Sequence, residues 1–308
     1  MISYVIQRLL QGVLVLFFVS LLTFTVMYYM PGDPARTMVG QAKVTDEQLD
    51  AIREKWHLND SYPERYWYWV SNFVRGDMGT SMMMPGFSIG NLMLDRAGWT
   101  LRLTALSFSI SILLAIPIGM LAAIKRYSLF DYFSTMLSTI GVAMPNYFIG
   151  IILIVILSGK LGWLPPFGAD SWKGYIMPVA VLALEEMAGL ARLTRGATIE
   201  ILSQDYVKTA HAKGLAPRAV ILRHVVRNAL IPIITLLGYR MAFILSGTIV
   251  IETVFSWPGI GRLFYQAITF KDLQLVQAIV FMLTALVVLA NILTDLTYAF
   301  IDPRVRLR

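Results

Sequence analysis

From Leu9 to Met30 the chain runs 22 residues without a charged side chain, and this stretch restricts the possible folds more than any motif does. At about 1.5 Å per residue, a helix of that length covers the roughly 30 Å hydrocarbon core of a bilayer. Leu103 to Ile124 and Tyr132 to Gly159 are likewise uncharged, and Leu273 to Thr294 is a fourth clean run. Two further apolar stretches carry charge: Tyr175 to Ala191 holds Glu185 and Glu186, and Asn228 to Ile251 holds Arg240. Read as helices, they bring the expected spans to six. Composition agrees, since 57% of the 308 residues are hydrophobic and 15% charged, unlike a soluble globular chain. The first run exceeds the apolar core of a signal peptide, and Met30-Pro31-Gly32-Asp33-Pro34 follows it where a cleavage site would stand. It is read as a retained span.

Cysteine is absent, which excludes a disulfide framework, a thiolate nucleophile and a thiolate metal site. His57, His211 and His224 are scattered and offer no ligand spacing, so no metal is expected. The net charge of +7 would suit nucleic acid if it were not distributed as topology anchors. With the N-terminus cytoplasmic, the inner segment Arg192 to Arg227 holds seven basic residues against Glu200 and Asp205, and the tail adds Arg304, Arg306 and Arg308. The opposite segment, 31–99, holds seven basic and nine acidic residues. This bias places both termini of a multi-pass membrane protein in the cytoplasm, with the lipid bilayer and not nucleic acid as partner. The expected organisation is a first helix over 1–30, a cap over 31–99 and a five-helix core over 100–308.

The outer segment is too long for a simple turn. Thr45-Asp46-Glu47-Gln48 fits a capping box, followed by Leu49, Ile52 and Trp56 at helical spacing. A second helix is expected after Pro63, with Tyr62, Tyr66, Trp69 and Phe73 near one face. Such a face suits the lipid headgroup level or a docking partner.

The inner segment, about 196–228, is the anomaly, because its basic residues sit between apolar runs. Tyr206 to Lys213 reads as a short helix, Gly214 as its stop and Pro217 as the start of a second helix. In that second helix Ile221, Val225 and Ala229 recur at i+4, as do Leu222, Val226 and Leu230, with Arg223 and Arg227 on another face. On these residues alone, an amphipathic helix held by anionic lipid is an equal reading.

The strings PGDPA, RGDMGTS, GVAMPNYF, GWLPPFG, TAHAKGLAPRAVILRHVVRNALIP, IETVFSWPGIGRLF and AFIDPRVR together resemble the first permease subunit of the dipeptide, oligopeptide, glutathione and nickel family of ATP-driven importers. The likeness runs from about Met1 to Arg306. It implies an all-α, six-span type I ABC importer fold with an extracytoplasmic helical cap. It also implies a coupling helix at Thr209, Ala210, His211, Ala212, Lys213, Gly214 and Leu215. The family's motif usually begins Glu-Ala-Ala; here Lys208-Thr209-Ala210-His211 stands instead. The implied partners are a similar second permease, two ATPases that bind ATP and Mg, and an extracytoplasmic binding protein. The chain itself has no G-x-x-x-x-G-K-[ST] loop, no H-E-x-x-H and no G-x-S-x-G, so it is expected to be a non-catalytic subunit. The implied substrate is a short peptide, glutathione or a nickel chelate. An ion-coupled secondary transporter, working through its intramembrane carboxylates, is the rival.

Glu185, Glu186 and Arg240 are the candidate pathway residues, because ionisable groups inside spans usually face a cavity or a partner. They suit either an interhelical salt bridge or a polar wall for a zwitterionic solute. Glu252, Trp257, Pro258 and Gly259 join them. The turn Ser256 to Gly261 is either a tight reversal or a re-entrant element. Pro117 and Pro145 are expected to kink their spans.

Overall fold

The computed structural model describes residues 2–30, 32–39, 44–82, 84, 86–230, 232–234, 237 and 248–301. Among them helices dominate and the only β pairing is an isolated bridge between Thr80 and Ser88. The chain forms two compact units, Met1–Gly98 with Gly259–Arg308, and Trp99–Pro258. The first helix, the cap and the last helix thus share a unit, a grouping that boundaries at 30 and 99 do not draw.

In the first unit, α1 (Ile2–Tyr28) packs along the last helix, Leu273–Ile301. Gly12 permits the approach, since a Cβ there would lie 2.8 Å from Val288 Cγ1. The outer face of α1 leaves Leu10, Val13, Phe18 and Leu22 exposed, a surface that belongs against lipid. The cap comprises α2 (Pro34–Val39), α3 (Asp46–Lys55) and α4 (Tyr62–Val74). The expected capping box starts α3: Thr45 Oγ1 accepts from the Gln48 N–H at 3.4 Å, and Gln48 Oε1 accepts from the Thr45 N–H at 3.0 Å. A second box, absent from the sequence reading, starts α4, where the Glu64 carboxylate accepts from the Ser61 N–H and hydroxyl.

The aromatic face of α4 is filled by the chain itself. Tyr62, Tyr66 and Trp69 surround Phe24 with ring centres 5.3 to 5.9 Å away. The Tyr62 and Tyr66 hydroxyls bond to Thr25 and Ser20, and Phe73 meets Phe281 of the last helix at 4.6 Å. Phenol groups set against an apolar helix need such partners, and the threonine and serine of α1 supply them. Trp67 is the aromatic left most outward. The loop after α4 is tied to the last helix by Ser81, whose buried hydroxyl donates to Asp272 Oδ2 at 2.6 Å, while Asp272 Oδ1 accepts from the Leu275 N–H at 3.1 Å.

α5 (Ile89–Ile124) begins 14 residues before the expected apolar run and passes Pro117 without ending. At about 1.5 Å per residue its 36 residues span roughly 54 Å, more than hydrocarbon alone requires.

In the second unit the expected single span Tyr132 to Gly159 is corrected to two helices, α6 (Leu129–Ala143) and α7 (Asn146–Leu153, continuing as π turns to Lys160), bent by 103°. Met144 precedes Pro145 and takes an extended conformation (φ −88°, ψ 131°), as the proline ring demands of its predecessor. α8 (Trp172–Leu202) runs well beyond the expected Tyr175 to Ala191. Small residues let its neighbours approach: a Cβ on Gly119 would lie 2.5 Å from the Ala191 carbonyl, and one on Gly141 would lie 2.9 Å from the Ala188 Cβ. Ser134, Ser138 and Gly141 form the buried face of α6, the small-residue packing usual between membrane helices.

Three helical segments, Ile6–Tyr28, Ile89–Ile124 and Leu273–Ile292, are long and apolar enough to cross a membrane, and the bent α6–α7 pair makes a fourth when taken as one span. The expected span Asn228 to Ile251 is only partly described. Arg240 lies outside the described residues.

Candidate functional site

α8 ends at Leu202, and after a two-residue turn α9 (Asp205–Ala212) begins. Val207 and Ala210 are its buried residues. They pack with Ile201 and Leu202 of α8 and with Val220 and Val225 beyond the next turn. The opposite face presents Thr209, His211, Ala212, Lys213, Gly214 and Leu215 to solvent. Of the seven coupling-helix positions, Ala210 alone turns inward.

The helix stops at a left-handed residue. Gly214 has φ +75°; its N–H bonds the His211 carbonyl and the Leu215 N–H bonds the Ala210 carbonyl, the paired closure of a Schellman motif. Pro217 then opens α10 (Pro217–Val220), which passes into π turns over Ile221–Val226. The wider turn adds a residue to the period, so the buried positions are Val220 and Val225, five apart, and then Ala229. The expected apolar repeat Ile221, Val225, Ala229 is corrected at its first member: Ile221 is only partly buried.

A second tie lies two turns up α8. Arg195 forks onto the buried Asp131 at the start of α6, and Asp131 also accepts from the Tyr127 N–H at 2.9 Å. Neither residue stood out by sequence pattern, although a lone acid at a helix start facing a run of basic residues is a usable signal.

The membrane charges separate. Glu185 is exposed on α8 and accepts from Asn146 Nδ2 at 2.8 Å, where the α6–α7 pair turns. Glu186 is partly buried, and the pairing expected with Arg240 lies outside the described residues. Glu252, in the helix Ile249–Val254, is wholly buried and accepts from the Thr100 hydroxyl at 2.7 Å and the Thr248 hydroxyl at 3.2 Å. Trp257 is also fully buried, with Nε1 donating to the Trp99 carbonyl at 3.2 Å and its ring edge-on to Trp99 and Tyr175. Neither Glu252 nor Trp257 lines a surface here. Pro258 is partly exposed, and Gly259 precedes the helix Ile260–Thr269. The turn between these short helices closes through Ser256 at φ +50°. In the cap, Arg53 pairs with Asp33 at 2.6 Å and holds that carboxyl below its ordinary value. No group of three or more metal-ligating side chains occurs among the described residues.

The described residues thus form an all-helical membrane chain in which a short, solvent-facing helix is packed against a long one. Comparison with known proteins bears this out: the chain belongs to the family described as "Binding-protein-dependent transport system inner membrane component", matched over 115–307, and its first 90 residues match the companion "Binding-prot-dependent transport system membrane comp, N-term". It is 37% identical over 315 residues to the oligopeptide transport system permease protein AppB of Bacillus subtilis (strain 168), covering 99% of both chains. It is equally identical, over 306 residues and 99% of both chains, to the glutathione transport system permease protein GsiC of Escherichia coli (strain K12). Among solved structures it resembles an amino acid ABC transporter (TM-score 0.55, 17% identity, 67% of this chain and 92% of the other). The inward-facing MetNI methionine ABC transporter gives the same TM-score, at 18% identity over 68% and 96% of the two chains. The chain is an ABC importer permease subunit, and the ion-coupled alternative falls away.

Proposed function

We propose that α9 is the surface through which an ATPase subunit drives this permease, and that the imported solute is a short peptide or a peptide-like molecule such as glutathione. The carrying observation is the way α9 is mounted. Its exposed face is free to dock, while Val207 and Ala210 are locked to Ile201, Leu202, Val220 and Val225. A push on α9 therefore reaches α8, and through Arg195 and Asp131 it reaches α6. A contiguous packed path of this kind suits a rigid-body response.

In this reading ATP and Mg bind to two partner ATPases, a second permease completes the pathway, and an extracytoplasmic binding protein delivers the solute. The chain crosses the inner membrane six times with both termini in the cytoplasm, as the positive-inside bias favours. Glu185, with Asn146 beside the bend, is the pathway residue best placed to meet a solute, because it is exposed in the single chain. Glu252 and Trp257 are assigned to the scaffold. The names of AppB and GsiC support a peptide-type substrate.

The test is purification of this chain alone and with its candidate ATPases, followed by nucleotide hydrolysis and cysteine cross-linking from position 211. Hydrolysis confined to the complex, with cross-links to an ATPase, is expected. Hydrolysis by the chain alone would sink the reading.

A further inference from the structure

Within the first unit lies a cavity of about 490 Å³ that the transport reading does not use. It falls in the size range of small-molecule sites. Arg65, Tyr68 and Trp69 of α4, Tyr28 of α1, and Gln274 and Gln277 at the head of the last helix all line it.

Its polar groups are unfinished. Gln277 is 6% exposed, and its side-chain amide lines the cavity without a hydrogen bond among the described residues. Gln274 Oε1 is buried and accepts none. A buried amide oxygen such as that of Gln274 loses its water without compensation unless a donor reaches it. Arg65 has no carboxylate at ion-pair distance among the described residues; its guanidinium lies 4.9 Å over the Tyr28 ring and makes one long bond, 3.4 Å, to the Leu58 carbonyl. The nearby acid Asp60 is engaged by His57 at 2.7 Å, and Asp77 accepts from the Gly79 N–H. Burial pushes the Arg65 guanidinium below its usual value, as befits a cation short of counter-charge. The cavity thus offers a cation that no carboxylate of the described residues contacts directly, two neutral amides with open hydrogen-bond capacity, and aromatic walls. That set complements a carboxylate joined to N–H groups and an apolar body.

We propose that this cavity is a binding site for a small carboxylate bearing N–H donors, of the size of a short peptide, with the carboxylate at Arg65 and the N–H groups at Gln274 and Gln277. The inference rests on the permease reading only in taking a peptide as the probe.

The probe is the dipeptide Ala-Phe, measured by calorimetry on the full chain in nanodiscs with its partner subunits, without nucleotide or binding protein. Saturable binding is expected, at least tenfold weaker for the Ala-Phe amide, for Arg65→Gln and for Gln277→Leu. Equal binding of acid and amide, insensitivity to both substitutions, or no binding at all would overturn the site. Displacement of Ala-Phe by added phosphatidylglycerol would overturn it too, in favour of a lipid headgroup. Should a variant fail to fold, the acid against amide comparison on the unaltered protein still decides. Uptake by the whole complex with its binding protein is scored separately. Uptake without Ala-Phe binding removes the site alone, and binding without ATP-driven uptake removes the transport reading alone.

Discussion

Arg195 closes on Asp131 through two parallel bonds, Nε to Oδ1 at 2.5 Å and Nη2 to Oδ2 at 2.8 Å, across 64 residues of chain. The Asp131 side chain is 4% exposed and the Arg195 side chain 28%, so the acid is enclosed while part of the arginine remains open. α9 follows the same end of α8, so the fork lies close to the helix proposed to meet the ATPase.

Arg195→Met should therefore destabilise the chain strongly, by about 3 kcal/mol, since it strands a buried charge. Asp131→Asn with Arg195→Met should recover most of that loss. Thermal unfolding in detergent measures both. Uptake per ATP should stay low in the double variant, whose stability is restored but whose link is not. Full coupling in that variant would show that the fork only holds the fold.

Gly214 separates strain from crowding. A Cβ there would meet nothing within 4 Å, yet φ is +75°, so substitution costs only backbone energy. Gly214→Val should cost roughly 1 to 2 kcal/mol at the end of α9, and Gly214→Asn much less, because asparagine tolerates the left-handed region. Uptake per ATP should fall for valine and hold for asparagine. Equal behaviour of the two would remove the role of the turn.

What was legible in the sequence was mostly local. The Thr45 box, the Gly214 stop and the Pro217 start each need only neighbouring residues, and each is found where expected. Pro145 was legible as a bend, but its 103° angle depends on Met144 being extended and on what packs around the turn. The early start of α5 was hidden because Asp95 and Arg96 interrupt the apolar pattern. The π turns over Ile221–Val226 shift a repeat that assumes 3.6 residues per turn. Asp131 with Arg195, Ser81 with Asp272 and Tyr66 with Ser20 are long-range pairs, and one sequence gives no register between distant helices.

The Asp33–Arg53 pair makes the cap weakly pH-sensitive. The arginine bond holds the Asp33 carboxyl below its ordinary 3.8, so the pair's contribution is complete above that value and disappears as pH falls through the lower, folded one. Both side chains are about 30% exposed, so water screens the pair and keeps the effect small. Hydrogen exchange across α2 and α3 should be faster in Asp33→Asn than in the unaltered protein at pH 6, with the difference shrinking as acid protonates Asp33 below its ordinary range. A difference that persisted in acid would assign the tie to something other than this ion pair.

Glu185 carries the last prediction, because its partner and its exposure point to different losses. Asn146 Nδ2 reaches its carboxylate at 2.8 Å, yet the residue remains exposed, so Asn146→Ala should change stability by less than about 1 kcal/mol. Arg240→Met tests the pairing expected from sequence: if that cation closes on Glu185 or Glu186 in the assembled bundle, its loss should cost about 3 to 5 kcal/mol, and Glu185→Gln/Glu186→Gln/Arg240→Met should be milder. With Glu185 on an open face beside the bend, the triple variant is expected to assemble and to lose at least tenfold in uptake in reconstituted vesicles, while ATP hydrolysis continues. Normal uptake in the triple variant, with stability recovered, would make these charges a device of the bundle and leave the pathway to other residues.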